Sequence, residues 1–270
     1  MRIKLFLCLV LCFSIMALTP AFANIAITPF YIDFDAASNK RVVSVKVTNT
    51  TSEKQTYRAH FINYKQKPDG SLEEITKAQE DPNAPFAEPY LTVSPRQFTI
   101  DPGIMQTVNV GRKPMPNVPD GEYVSYLMIR EITPPTPIEQ TQASDKEFGV
   151  NIKALYATAI PVLLIKGQFT SGTALSEIES AGTPKDSKNA LIAVTLEREG
   201  TRSSYGSIQV MDGSDVVGEI KNLRVLLSTK SRRVVIQLKK PESELKGKKL
   251  RIIFKDGRTD NTITEEKVVF

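Results

Sequence analysis

The stretch VSVKVTNTT, Val43–Thr51, sets the pattern that recurs along this 270-residue chain. Valine occupies its odd positions from 43 to 47, and serine, lysine and threonine occupy the even positions from 44 to 48. Successive side chains of a β-strand point to opposite faces, so this alternation predicts a strand with one buried and one exposed face. The polar residues that follow, beginning with Asn49, predict the end of the strand.

Similar short segments, separated by Pro, Gly, Asn and Asp, predict two sets of strands. The first set comprises Tyr57–Ile62, Leu91–Val93, Phe98–Ile100, Val108–Val110, Tyr123–Ile132 and the long Phe148–Ile165. The second comprises Leu191–Leu196, Ser207–Met211, Leu223–Leu227, Arg233–Leu238, Leu250–Phe254 and Ile263–Phe270. Gly167 and the polar residues around Ser171 and Gly172 predict a linker between them. About seven strands in each half, with frequent turns, predict an all-β protein of two immunoglobulin-like β-sandwich domains, 24–166 and 167–270.

The first 23 residues have the features of a secretory signal peptide. Arg2 and Lys4 supply positive charge at the start, residues 3 to 18 form an almost unbroken apolar run, and Ala21-Phe22-Ala23 follows the small-x-small pattern of a cleavage site. The run is shorter than the roughly 20 residues of a spanning helix, which argues against a membrane anchor. A lipoprotein is a further alternative, but Cys8 and Cys12 lie too early in the run. We therefore expect cleavage after Ala23, export, and no membrane insertion afterwards.

The composition of the remaining chain limits its possible functions. Both cysteines of the sequence belong to the predicted signal, so the mature chain must be stabilised by buried apolar area and not by disulfides. The signal also removes two of the 35 basic residues, which leaves 33 bases against 30 acids. So small an excess, spread along the chain, predicts no nucleic-acid partner.

The sequence offers little for catalysis. His60 is the only histidine, and its alternating neighbours predict a surface or hydrogen-bonded strand residue. A Ser-His-Asp triad would have to include it, and a zinc site would need carboxylate ligands almost alone. The acidic pairs Glu73-Glu74 and Asp212 with Asp215 lie in predicted turns, and no glycine-rich phosphate loop is present. We expect no catalytic residues, no metal and no cofactor.

The segment Arg130–Pro135, reading REITPP after Ser125–Ile129, resembles the strand ending in Arg-Glu-Ile-Pro-Pro of PapD-type periplasmic pilus chaperones. Other similar segments follow in the same order along the mature chain and match a divergent branch of that family: Ile25–Asp35, Val43–Asn49, Val93–Pro95, Ile100–Gly103, Val108–Val110, Asp120–Tyr123, Val194–Gly200 and Ser203–Gly206.

The resemblance implies a specific activity. Such chaperones bind pilus (fimbrial) subunits in the periplasm by donor-strand complementation and deliver them to an outer-membrane usher. A pilus subunit lacks its last strand, and the chaperone lays an edge strand of its own into the resulting groove. The resemblance also implies that the two domains meet at a steep angle near residue 167 and leave a cleft between them.

The predicted strand Phe148–Ile165 suits a donor strand because it is long and apolar on its even-numbered face. The resemblance assigns subunit binding to Val150, Ile152, Ala154 and Tyr156, which share that face. The alternative is that the even face packs into the core of the first domain, as it would in any sandwich.

The cleft departs from the family pattern. Alignment places Tyr31 and Pro161 where well-known members carry an arginine and a lysine that bind the subunit's terminal carboxylate. Neither is cationic, so either the register differs or the client is anchored in another way. Arg130 and Lys166 are further candidates for the charge in the cleft.

Two other functions are compatible with these features. A structural or adhesive protein of the cell envelope would share the signal and the strands, but it would not need an accessible apolar donor face. The second function is that of a scaffold of the same fold, which binds a secretion or envelope component and has no pilin clients.

Overall fold

The computed structural model describes residues 24–76, 84–132 and 155–270, so the predicted signal peptide lies outside the described residues. Nearly all regular structure in these ranges is β-strand, with a 3-10 turn at Glu88–Tyr90 and one short α-helix at Glu242–Leu245. The strands are β1 Ile25–Thr28, β2 Ile32–Asp35, β3 Val42–Asn49, β4 Gln55–Gln66, β5 Leu72–Ile75, β6 Leu91–Ser94, β7 Gln97–Ile100, β8 Met105–Arg112, β9 Gly121–Ile132, β10 Ala157–Lys166, β11 Ser171–Ser180, β12 Asn189–Gly200, β13 Ser204–Asp212, β14 Asp215–Val225, β15 Ser231–Pro241, β16 Lys249–Asp256 and β17 Thr262–Val269.

The first ten strands form a sandwich of two sheets. One sheet has the order β1-β3-β8-β6, and the other has the order β2-β10-β9-β4-β5, with β7 also paired to β4. The inner faces enclose one apolar core, in which Phe34, Val47 and Leu127 are buried. The first strands, β1 and β2, belong to different sheets, so the chain crosses between the layers at Pro29–Tyr31.

The last seven strands form a second sandwich, with sheets β11-β12-β15 and β14-β13-β16-β17. Its separate core includes Ile192, Ile208 and Phe254. The predicted all-β class and two-sandwich architecture are therefore confirmed.

Two sequence-based assignments in the second half are wrong. Ser171 and Gly172, predicted as linker, are the first residues of β11, which pairs along its length with β12. The strand predicted at Leu223–Leu227 is the end of the longer β14, which starts at Asp215. In both strands the pairing register shifts, so the alternation of buried and exposed positions is interrupted. Polar residues then stand where strict alternation predicts core residues.

The connection between the sandwiches contains a glycine that the backbone requires. Gly167 has φ +59°, and a Cβ atom there would lie 2.1 Å from Cγ of Asp120. Asp120 in turn accepts a hydrogen bond of 3.1 Å from the backbone N–H of Gln168. A side chain at 167 would therefore be strained both in its backbone and against the carboxylate that holds the next residue.

Candidate functional site

One side of β10 is only half covered by its neighbour strand. All ten residues of β10 pair antiparallel with β9, whereas only Val162–Ile165 pair with β2 on the other side. Ala157–Pro161 have no strand partner on that side among the described residues. We call this segment of β10 the open edge.

Hydrogen-bond alternation shows which backbone groups the open edge presents. Tyr156 accepts a 2.9 Å hydrogen bond from Glu131 N–H, so even-numbered residues bond to β9, and odd-numbered residues face the other side. Ile165 is odd-numbered and follows this rule, since its carbonyl accepts a hydrogen bond from the N–H of Ala36 beside β2. Ala157 and Ala159 therefore turn their N–H and C=O groups outward, where another strand could pair with them. Pro161 takes the next outward position, where its missing N–H costs no hydrogen bond to β9.

The side chains of β10 divide between two faces. Ile160, Val162 and Leu164 are buried in the first core, so the even face packs inward over the described half of the predicted long strand. Tyr156 has the same parity but is 50% exposed, and Leu155 beside it is 43% exposed. The remaining predicted donor residues, Val150, Ile152 and Ala154, lie outside the described residues.

The predicted cleft residues Tyr31 and Pro161 adjoin each other. The parallel register pairs Ile32 with Val162, which places the preceding residues side by side at the inner end of the open edge. The second sandwich brings a guanidinium group close to Tyr31: Cζ of Arg224 lies 6.0 Å from the ring centroid of Tyr31 and 4.2 Å from that of Tyr205. Its Nη1 atom is buried and has no hydrogen-bond partner in the described part of the chain.

The other two predicted cleft residues, Arg130 and Lys166, lie at opposite ends of the pairing between β9 and β10. Arg130 pairs with Ala157, nine residues from the end of β10, which is about 30 Å from the junction at the usual rise of a strand. Lys166 lies at the junction, but its ammonium group donates a 2.5 Å hydrogen bond to the carbonyl of Val118 in the first sandwich.

An ionic cluster joins the two sandwiches. Glu122 in β9 is 1% exposed, and it accepts a 3.3 Å hydrogen bond from Ser203 N–H. Its second carboxylate oxygen lies 3.5 Å from Nε of Arg202 and 4.0 Å from Nη2 of Arg258. Burial lowers the pKa of Arg202, the neighbouring Arg258 acts in the same direction, and Glu122 opposes both. The buried Glu122 carboxylate thus pairs with two arginines of the second sandwich, and its removal would leave the partly buried Arg202 without this counter-charge.

Gln66 joins the sandwiches by a different route. Its side-chain oxygen accepts a 2.8 Å hydrogen bond from Leu226 N–H, and its side-chain nitrogen donates to the carbonyl of Arg224 at 3.3 Å. The side-chain amide of Gln66 therefore hydrogen-bonds to the backbone of residues 224 and 226. A backbone peptide group on a neighbouring strand would form the same two bonds. Ile62, Tyr126 and Leu226 form a small apolar cluster beside it. Burial raises the pKa of Tyr126 to about 12, although Arg224 acts in the opposite direction.

Sequence reasoning missed most of the residues, from both sandwiches, that line the contact. Gln66, Arg202, Arg224 and Arg258 stand in no motif, and their neighbours are distant in the sequence. Glu122 was noticed only as part of the Asp120–Tyr123 resemblance.

A basic patch lies on the outer face of the first sandwich. Arg58 and Arg130 are paired directly across β4 and β9, and His60 follows in β4. Burial lowers the pKa of His60; Glu74 opposes this, and the two arginines add to it. These three residues line a groove together with Glu131, Ile132 and Leu155.

Over residues 24–76, 84–132 and 155–270, no three His, Cys, Asp or Glu side chains come together in a way that would hold a metal ion. The same ranges contain no helix of the length and hydropathy that a membrane span needs.

No protein-family model and no curated protein matches the chain. Among solved structures, the chain is similar to the YadV chaperone (13% identity, TM-score 0.47, covering 91% of this chain and 100% of that one). It is also similar to the Escherichia coli chaperone DraB (12%, TM-score 0.45, covering 90% and 95%). A third is the CsuC–CsuE chaperone–tip adhesion subunit complex from the archaic chaperone-usher Csu pili of Acinetobacter baumannii (12%, TM-score 0.47, covering 91% and 97%).

These solved structures are PapD-like fimbrial chaperones, the group that the sequence motifs predict, and each is similar to this chain at low identity. At such identities and TM-scores the likeness concerns the arrangement of strands, and the function is argued from the residues of the chain itself.

Proposed function

We propose that this protein is a periplasmic chaperone that binds pilus subunits by donor-strand complementation and delivers them to an outer-membrane usher. The observation that carries the proposal is the open edge, Ala157–Pro161. β2 stops short of it, and two exposed apolar residues, Leu155 and Tyr156, lead into it. Edge strands are normally protected by charged residues or proline; this edge has proline only at its inner end and no charged residue, which favours a strand-adding partner.

The proposed mechanism uses both the backbone and the side chains of this strand. The outward N–H and C=O groups of Ala157 and Ala159 would pair with the unpaired edge of a subunit. Further along the strand, Val150, Ile152, Ala154 and Tyr156 would fill the subunit's groove. Burying a large apolar side chain there is worth about 1.5–3 kcal/mol, and no bond is made or broken, so no catalytic group, metal or cofactor is needed.

The two sandwiches have distinct roles in the proposal. The first supplies the donor strand, and the second forms the opposite wall of the cleft, held by Glu122 and Gln66. Tyr31 and Pro161 lie between them and would contact the end of the bound subunit strand. Export through the signal peptide at residues 1–23 would bring the chain to the periplasm, where such subunits emerge.

Proline substitution tests the open edge. Ala159→Pro removes an N–H that β9 does not use, so the protein should fold, as the natural Pro161 indicates. The variant should recover less subunit, because one backbone hydrogen bond worth about 0.5–1.5 kcal/mol is lost and the proline ring obstructs the approaching strand.

Thr158→Pro is the matched comparison, because its N–H lies on the side of β9. This variant should lower the melting temperature of the free protein, whereas Ala159→Pro should not. The measurement is co-purification with small exported proteins of the same genome whose immunoglobulin-like strand pattern lacks a last strand. If Ala159→Pro recovers such subunits as well as the parent chain does, the open edge is not where they bind.

A further inference from the structure

The outer face beside the open edge carries an unusual arrangement of like charges. Arg58 and Arg130 are exposed and directly opposite each other on neighbouring strands. Like charges in this position destabilise a sheet. The side chain of Arg58 reaches Gln97 at 3.5 Å, and neither arginine forms an ion pair in the described part of the chain.

The register places this pair in line with the open edge. Across the outer face the order is Arg58 on β4, Arg130 on β9, Ala157 on β10, and then the unpaired side of β10. Ala157 is exposed and too small to stop the Arg130 side chain from extending over it. Repulsion from Arg58 favours the same direction, away from β4.

The distances suit contact with a strand added at the edge. Neighbouring strands lie about 4.8 Å apart, so an added strand would run about 10 Å from the backbone of β9. An extended arginine on β9 and a glutamate on the added strand can span that separation together. The added residue that lies beside Ala157, on the outer face, is therefore the one that Arg130 would meet.

We propose that Arg130, supported by Arg58, selects strands that carry an acidic residue on the outward face beside Ala157. The selection rests on the proposed function, since it needs a strand at the open edge. It adds a preference that the backbone pairing cannot supply, because main-chain hydrogen bonds are the same for every sequence. An exposed charge pair contributes modestly to affinity, but it rejects a like-charged partner as well as attracting an opposite one.

The test uses three synthetic peptides with blocked ends, in which valine alternates with glutamate, glutamine or lysine. Binding to the mature protein is followed by fluorescence anisotropy at low and high salt. We expect the glutamate peptide to bind about two- to fivefold more tightly than the glutamine peptide, and the lysine peptide to bind more weakly by a similar factor. High salt should reduce both differences.

Arg130→Gln should remove most of the preference and leave the glutamine peptide bound as before. Arg58→Gln should reduce it less, and Lys46→Gln, on the other sheet, should leave it unchanged. Thermal melts check that the variants fold. Because each arginine substitution removes a like-charge pair, both variants should melt at or above the temperature of the parent.

Equal binding of the three peptides to the parent protein would overturn the selection while leaving the proposed strand addition intact. A preference that persists in Arg130→Gln would likewise overturn it. If none of the peptides binds, the open edge does not accept strands, and the proposed function falls together with the selection.

Discussion

The two halves of β10 differ in what covers them, although they belong to one continuous strand. Val162–Ile165 lie between β9 and β2 and place Val162 and Leu164 in the first core. Among the described residues, Ala157–Pro161 pair with β9 only, and Leu155 and Tyr156 just before them are exposed. The comparison teaches that one strand can place side chains of both halves in its own core, Ile160 included, while only one half has a strand partner on both sides among the described residues.

The largest expected effect is on the covered half. Leu164→Ala should lower the free energy of unfolding by about 2–5 kcal/mol, because it leaves a cavity in a core position with no exposed surface. Urea denaturation measures the loss. Tyr156→Ala, in the exposed part, should change the unfolding free energy by less than about 0.5 kcal/mol. Equal losses from both substitutions would show that the two halves are covered alike.

A charge placed on the proposed donor face should separate folding from binding. Ile152→Asp or Tyr156→Asp should leave the melting temperature of the free protein nearly unchanged, yet abolish recovery of co-expressed pilus subunits. The aspartate would be buried without a partner in an apolar groove, and about 1.5–3 kcal/mol of apolar contact would be lost as well. Lys153→Ala, on the opposite face, is the control and should recover subunits normally. Unfolding of the free Ile152→Asp variant would show instead that the even face is ordinary core at that position.

Amide hydrogen exchange gives the smallest signal and the finest resolution. In the free protein, the amides of Ala157 and Ala159 should exchange quickly, and those of Thr158 and Ile160 should be protected by β9. Adding a subunit should slow the exchange of the two alanine amides and hardly affect the others. Protection of all four amides in the free protein would mean that the open edge is already covered.

Alternation predicted the strands whose faces are cleanly divided. Val42–Asn49 and Gln55–Gln66 were located to within a few residues, because their buried and exposed positions follow the strand period over several residues. β11 was missed because Ser171–Ser180 is rich in serine and glutamate and shifts register near Glu177, which has a positive φ. The alternation of apolar and polar residues cannot predict such a strand, because its pairing with β12 continues on both sides of the register shift.

The motif alignment predicts that Tyr31 and Pro161 belong to one cleft, and their role there stays a prediction. The parallel register of β2 and β10 brings the two residues next to each other. Arg224, which reaches Tyr31 from the second sandwich, gave no signal, because the contact depends on how two separate sandwiches pack. The same limit applies to Arg130, a candidate for the cleft that β9 places about 30 Å from the junction.

The contact made by Gln66 bears on how this protein can change over evolutionary time. Its amide bonds backbone atoms of residues 224 and 226, which every non-proline amino acid possesses. Substitution of Arg224 would therefore change the charge beside Tyr31 without removing the backbone bonds that Gln66 makes to the second sandwich. The contact between the sandwiches and the charge beside Tyr31 can thus be inherited separately, so related chains could keep the first while changing the second.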